Sequence, residues 1–448
     1  MSGKVRNLFK EFCFKGLNVE RLPLPARIVR PLGYPTVSDL PKEQQEGLRS
    51  FWRDGLFASI ASGFSDPYYT LYLLSLNATN AQIGLFNTLT QLVGAATAMP
   101  GAAAADRSGR YKGVTLFAGF VSRLMWPVMI LAPWLAGGSA IWVVLVGWVT
   151  IAAMGSLGNA AWTALSAELV PARLRGGYFA SRNMIIQLAS LGAIPTAGLL
   201  VSAVGEPGGY QVSLALALIA GGFSLYYYSR LPEHPREKDP RRLSTWQVLR
   251  RVRHYPTFTR FTISHAVMML GVWMGGPFIN VYMKDVRGFS ISTIGFVTTI
   301  GGLATLLSMR MMARVHDRVG IVRTMRFGVG IPLIMVGWML VRHPWQAYLA
   351  NTIAAFAWAG YNLGSFNLML ASTPDENRPR YIAVNTTIIS LVGAAGPAIG
   401  GWLVDQIGFG QVFLISAIIR ALGLLLFFIL VREPESATPG IPKPQPSP

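Results

Sequence analysis

Apolar residues run through most of this chain in blocks of about twenty, separated by short stretches where charge, glycine or proline gathers. A block of that length, wound as a helix at about 1.5 Å per residue, crosses roughly 30 Å of hydrocarbon. Twelve such blocks fall near 54–77, 81–103, 113–135, 139–165, 178–204, 209–230, 257–283, 290–312, 324–342, 345–371, 382–404 and 409–431. Glycines and prolines inside them do not argue against helices, because neighbouring helices can satisfy the backbone groups they free. The expected elements are therefore twelve membrane-crossing helices joined by short loops.

Composition agrees with that pattern. Of 448 residues, 52% are hydrophobic and only 13% charged, too few ionic groups to wet the surface of a soluble protein of this size. The net charge of +19 would suit nucleic acid if the basic residues formed a patch. They do not. Lys284, Arg287 and Arg342 alone fall on the side of the odd-numbered loops, Arg123 and Arg420 fall inside blocks, and all the rest of the 39 Lys and Arg fall in the N-terminal arm, the even-numbered loops with their flanks, and the tail. That asymmetry places both termini in the cytoplasm of a multi-pass protein of the plasma (inner) membrane, with membrane lipids as the partner of the basic face and no nucleic acid.

Cys13 is the only cysteine, so no disulfide can form within the chain. The first 48 residues are basic and lack a continuous apolar core, unlike a cleaved signal peptide, although NLFKEFCFKGL at 7–17 could lie on a membrane as a short amphipathic helix. The end, PESATPGIPKPQPSP, is too rich in proline and small polar residues to build a core and is expected to be disordered.

The chain also repeats itself. DPYYTLY at 66–72 matches GPFINVY at 276–282, IGLF at 83–86 matches IGFV at 294–297, and NAAWTALSAELVPARLRGGY at 159–178 aligns without a gap to NLGSFNLMLASTPDENRPRY at 362–381. Because each half holds six spans, an even number, the halves enter the membrane the same way up. The expected organisation is an arm at 1–50, a six-helix bundle at 51–230, a basic linker at 231–256, a second bundle at 257–432 and a tail at 433–448.

A charged cluster, DRSGRYKG, interrupts the apolar pattern between spans two and three, and HDRVGIVR echoes it between spans eight and nine. Together with twelve spans and the duplication, this D-R-x-G-R/K-type loop resembles that of the major facilitator superfamily of secondary transporters. Ala102 stands where the family's first glycine would be, Tyr111 interrupts its basic run, and Ala313 takes the glycine position in the second copy. The resemblance implies an all-α membrane protein with twelve transmembrane helices in two pseudo-symmetric six-helix bundles. It also implies alternating access around a mid-membrane site, a small-molecule substrate, a proton or other coupling ion, no cofactor, and a monomer. Asp106, Arg107, Gly109, Arg110 and Lys112 would form an inner-side latch between the halves, with Asp317, Arg318, Gly320 and Arg323 as a partial echo; the alternative is that they anchor loops and set topology.

Ionisable residues in mid-membrane are costly and mark candidate sites. Asp66 lies about 16 Å into the first span, beside Pro67, and Arg123 at similar depth in the third. The two form either a switchable proton site or a fixed bridge, unless Asp66 contacts a cationic substrate directly. His265, about 12 Å into span seven, is either a substrate contact or a packing residue. Arg420 in span twelve lacks a carboxylate at its depth, which leaves helix packing or snorkelling. The resemblance places spans four and ten around the cavity, where Asn159 and Asn362 hold equivalent repeat positions, with Trp162 and Tyr361 as flat surfaces beside them. Gln91 and Asn385 are further candidates, and interhelical hydrogen bonding is the competing reading for all these amides. GPAIGG at 396–401 is explained by close helix packing.

The sequence thus supports a secondary transporter driven by protons through Asp66, exporting drug-like or amphipathic compounds. Uptake of a sugar-like or other polar metabolite, favoured by the asparagine pair, is the second reading, and a receptor or assembly factor that keeps the fold without moving solute is the third. No metal spacing, nucleophile or phosphate-loop motif suggests an enzyme.

Overall fold

The computed structural model describes residues 40–171, 174–233, 256–319, 330–371 and 378–430. These trace α1 (Lys42–Ser65, continued as Tyr69–Ser75), α2 (Asn80–Ser108), α3 (Tyr111–Leu135), α4 (Ala140–Leu169), α5 (Arg175–Val204) and α6 (Gly208–Ser229). The second half follows with α7 (Pro256–Gly275, continued to Val286), α8 (Ile291–Val319), α9 (Gly330–Leu340), α10 (Pro344–Ala371), α11 (Arg378–Ile407) and α12 (Phe409–Leu430). Eight of these spans are long and apolar enough on their own to cross a membrane, and α9 is described only from Gly330 onward.

α1 starts at Lys42, well before the predicted 54, which shortens the arm. The reason is packing. The extra turns are too polar to read as a span, yet Leu48 and Phe51 are buried, Gly47 abuts Pro232, and the Tyr178 hydroxyl donates to Leu48 O at 2.7 Å. At the other end of the first half, Leu231 belongs to the same small core as Phe51, Leu165 and Tyr228, so the linker begins docked. Nearly all of the predicted linker, the remainder of the arm and the predicted tail lie outside the described residues.

The repeat seen in the sequence is a repeat of geometry. α1 is broken by a 3-10 turn at Asp66–Tyr68 and α7 by one at Gly276–Phe278, each with proline near its start. Proline supplies no N–H, so the α-helical ladder is interrupted there and the turn tightens. Beyond the breaks, Tyr72 donates to Met129 O at 2.9 Å and its repeat mate Tyr282 to Met339 O at 3.3 Å. Likewise Ser213 of α6 reaches Phe64 O and Ser416 of α12 reaches Gly271 O, both at 2.6 Å. Within each half the first helix packs against the fifth and sixth, and the third against the fourth or sixth. Outward, α3 presents Phe117, Phe120, Leu124, Val128 and Leu131 at helical spacing, an apolar stripe suited to lipid.

The halves meet along two seams, α2 with α11 and α5 with α8. At each, glycines let the backbones cross closely. A Cβ on Gly401 would lie 3.1 Å from Gly84 Cα, and one on Gly295 would lie 3.7 Å from Gly198 Cα. These are equivalent crossings, since IGLF pairs with IGFV in the repeat. Hydrogen bonds join the two halves in the outer parts of the spans, away from the basic loops. Asp405 accepts from Asn80 Nδ2 and from the Ala81 N–H, each at 2.9 Å, and Thr88 donates to Ala394 O at 2.6 Å. The Ser292 N–H donates to Ser202 Oγ, Asn280 donates to Pro67 O, and Lys284 pairs with Glu206. These contacts close the halves against each other at the far face.

Candidate functional site

Between the halves, below the closed seams, polar side chains are exposed on helices whose other faces are packed. On α4, Gly155, Asn159 and Thr163 form one exposed stripe at spacing four, and a Cβ on Gly155 would meet nothing. Opposite faces of α4 are occupied, with Ser156 donating to Gly94 O of α2 and Gly158 against Ala118 of α3. Asn362 is exposed at the equivalent place on α10. Both predicted asparagines thus present free faces.

Ser62 and Asp66 are exposed on α1. Their face lies between positions that touch α5, where Ser59 donates to Ile186 O and Gly63 abuts Ala193, and Tyr69, whose ring contacts Trp148 of α4. Asp66 therefore opens onto the concavity between the halves and not onto lipid. Ser65 shares its hydroxyl between Ala61 O and Asp66 Oδ1, both at 3.0 Å. For Asp66 and Arg123, read as either a switchable proton site or a fixed bridge, no ion pair between them is present: the ion pairs between described residues are Asp54–Arg182 and Glu206–Lys284. Arg123 lies within electrostatic reach of Asp54 and Asp66, but its Nε is buried without a hydrogen-bond partner among the described residues and its guanidinium is 5.5 Å from the Trp126 ring. It rests against α6 because Gly221, whose Cβ would lie 3.0 Å from that Nε, leaves room.

Two charges that the pattern did not single out form the ionic core of the first half. Asp54 accepts from Ser224 Oγ at 2.7 Å and faces Arg182 Nη2 at 3.4 Å. Arg182 also donates from Nε to Phe51 O at 3.2 Å, and its guanidinium lies 4.2 Å from the Phe51 ring and 5.3 Å from the Trp162 ring. Gly55 makes the space, since a Cβ there would sit 2.9 Å from the guanidinium. Both residues stand near span ends, where charge normally meets water, and that concealed them. Their repeat mates, Ser264 and Asn385, are neutral, so the charge belongs to one half only.

Asn183 and Gln187 of α5 were also missed. Steps of 100° put them between the α1-facing positions Arg182, Ile186 and Ser190 and the α8-facing Leu191 and Gly198, while Met184, Leu188 and Leu199 form an exposed apolar strip elsewhere. Both are exposed toward the concavity. Two amides four positions apart in NMIIQL share one helix face, and that spacing would have revealed them as a polar stripe.

Several other candidates sit among packed neighbours. Trp162 is half-buried and engaged with Phe51 and Arg182 inside the first half. Tyr361 is buried, edge-on to both His265 and Trp358. His265 is half-buried, with its ring against Phe261 and Nδ1 unpartnered among the described residues. Asn385 is buried and its Nδ2 points to Met369 Sδ at 3.6 Å. These aromatic and polar groups make a packed wall on the second half. Gln91 lies at the α2–α11 seam near Gly393 and Trp273, a position of closure.

Arg420 does not snorkel. It is 2% exposed, turned inward against Gly271, and donates from Nη2 to Val272 O of α7 at 3.3 Å. In the charged loop, Gly109 has φ 61°, a left-handed conformation that glycine adopts without strain. Lys112 donates from its backbone N–H to Glu233 at 2.7 Å and from Nζ to Leu231 O at 2.8 Å. It thus binds the end of its own half and not the other bundle, since the chain leaving α6 folds back within reach. Arg110 is exposed at the start of α3. Gly320 and Arg323, and the side chains of Asp106, Arg107, Asp317 and Arg318, lie outside the described residues.

Two like-built helical halves, closed against each other at one face with polar side chains exposed below it, are the architecture of a membrane transporter. The model of the Major Facilitator Superfamily matches residues 55–358 and 261–447, and the chain belongs to that superfamily of secondary transporters. Among named relatives, the multidrug resistance protein MdtG of Salmonella typhi is 22% identical over 87% of this chain and 95% of its own length. MdtG of Dickeya zeae is 29% identical over 35% of this chain and 40% of its own length. In fold, the chain resembles a bacterial homolog of the human lysosomal transporter Spinster, solved inward-facing and unoccupied, with TM-score 0.67 and 14% identity over 87% of this chain and 97% of that one. A D-xylose-proton symporter gives TM-score 0.63 and 15% identity over 88% and 98%.

Proposed function

We propose that this transporter exports drug-like or amphipathic compounds in exchange for protons, with Asp66 as the group that carries the coupling. The observation that supports this most directly is the placement of Asp66: a carboxylate in mid-span, at a helix break, open to the recess and without an ion pair among the described residues. A carboxylate so placed can take up a proton or a cation from the recess and release it when the seams open. The near full-length likeness to proteins named for multidrug resistance supports export. The basic-loop face is then cytoplasmic, both termini lie on that side, the protein works as a monomer, and the state described is inward-facing. In the opposite state the latch at Asp106, Arg107, Gly109, Arg110 and Lys112 engages the second half.

The recess also holds Asn159, Asn183, Gln187 and Asn362, and these amides favour a second reading, in which the substrate is a polar metabolite bound by hydrogen bonds. Flux in proteoliposomes with and without a pH gradient decides between these readings and a non-transporting receptor. Asp66→Asn is expected to remove the gradient's effect while the amount of folded protein is unchanged. Gradient dependence that survives in Asp66→Asn sinks the coupling role, and absence of any saturable flux sinks transport.

A further inference from the structure

We infer that Tyr68 is a positioning residue that links the state of Asp66 to closure of the far face. Asp66, Pro67 and Tyr68 make up one 3-10 turn, so the residue that opens onto the recess and the residue two positions on move as a stiff unit. Tyr68 is 2% exposed and points away from the recess into the α5–α8 seam. Its hydroxyl donates to Ile194 O of α5 at 2.6 Å. The same oxygen is seated between two glycines from opposite halves: a Cβ would lie 2.8 Å from it on Gly198 and 2.5 Å from it on Gly295. The turn also touches the other half directly, since Asn280 of α7 donates to Pro67 O at 3.5 Å.

The repeat mate shows what is special about this turn. Gly276–Phe278 has the same proline and the same shape, but glycine replaces the carboxylate and phenylalanine replaces the hydroxyl. Phe278 packs against Gly400, whose Cβ would lie 3.1 Å from the ring, with no hydrogen bond from that ring. The α2–α11 seam is thus a plain bearing. The α5–α8 seam is the one wired to the recess. A change in what Asp66 holds rotates the turn, withdraws the hydroxyl from between Gly198 and Gly295, and frees the halves to part. The inference rests on Asp66 facing the translocated species, and does not depend on that species being a proton.

The test uses the full chain in proteoliposomes, in a Cys13→Ser background with Ile291→Cys as reporter; Ile291 is 5% exposed within the seam. The rate of modification by a membrane-impermeant maleimide applied at the far face reports opening. Tyr68→Phe is expected to raise that rate roughly two- to tenfold, the factor for one lost hydrogen bond. Asp66→Asn is expected to change the rate with Tyr68 present and to have no further effect in Tyr68→Phe. As a second route, Gly295→Ala should raise the rate by pressing a methyl on the hydroxyl, and Tyr68→Phe should relieve it. An unchanged rate in Tyr68→Phe, no effect of Asp66→Asn, or equal effects of Asp66→Asn in both backgrounds overturns the inference. Gradient-independent flux in the wild-type chain, with the non-additivity intact, overturns only proton coupling.

Discussion

Replacing Arg182 with methionine tests the ionic core of the first half. Arg182 is 5% exposed, and its guanidinium pairs with Asp54 at 3.4 Å, donates to Phe51 O at 3.2 Å and stacks on Phe51 at 4.2 Å. Methionine keeps much of the stem and its packing but strands Asp54. Removing one partner of a buried pair costs about 3–5 kcal/mol, because the remaining charge is left without compensation. Asp54 keeps its 2.7 Å hydrogen bond from Ser224 and the field of Arg123, so the lower end is expected, about 3 kcal/mol. For a bundle of this size that corresponds to a fall in Tm of roughly 6–12 °C. Thermal unfolding of detergent-purified protein, followed by tryptophan fluorescence, provides the measurement. Adding Asp54→Asn to Arg182→Met removes the stranded charge and should recover most of the loss, so the double variant is more stable than Arg182→Met alone. Transport per folded molecule should change little, because the pair ties α1, α5 and α6 of one bundle, which rock together. A double variant no better than Arg182→Met, or a single variant as stable as wild type, would show that the pair does not hold the bundle.

Three other outcomes follow from the geometry. Asp405→Asn removes the charge from two 2.9 Å contacts at the start of α2 and should favour opening at the far face by about 1 kcal/mol, read as about fivefold faster external labelling in the seam. Arg420→Met should be tolerated within about 1 kcal/mol in thermal unfolding, since its Nε has no partner among the described residues and its hydrogen bond to Val272 O is long at 3.3 Å. Asn183→Leu together with Gln187→Leu should raise the KM of a polar substrate severalfold with kcat little changed, whereas unchanged KM would place both amides outside the recognition surface.

Much of this architecture was legible in the order of residues. Blocks of apolar residues long enough to cross a bilayer must become helices, because lipid offers the backbone no other partner. The duplication followed from pairs such as Tyr72 and Tyr282, which proved to make the same hydrogen bond in each half. Asp66 stood out because a carboxylate in mid-span is costly to bury and marks a candidate site. What the linear pattern could not supply was direction around each helix. Trp162 and Tyr361 read as open faces and are packed, while Asn183 and Gln187 read as ordinary and line the recess. Asp54 and Arg182, on different helices, find each other only when α1 lies against α5. Burial is a property of the neighbours that a residue acquires, and those neighbours come from distant parts of the chain. The sequence by itself therefore determined that there are two like halves in a membrane with one exceptional carboxylate. Tertiary packing decided which face is closed, which charges are paired, and that a tyrosine two residues from that carboxylate reaches the seam.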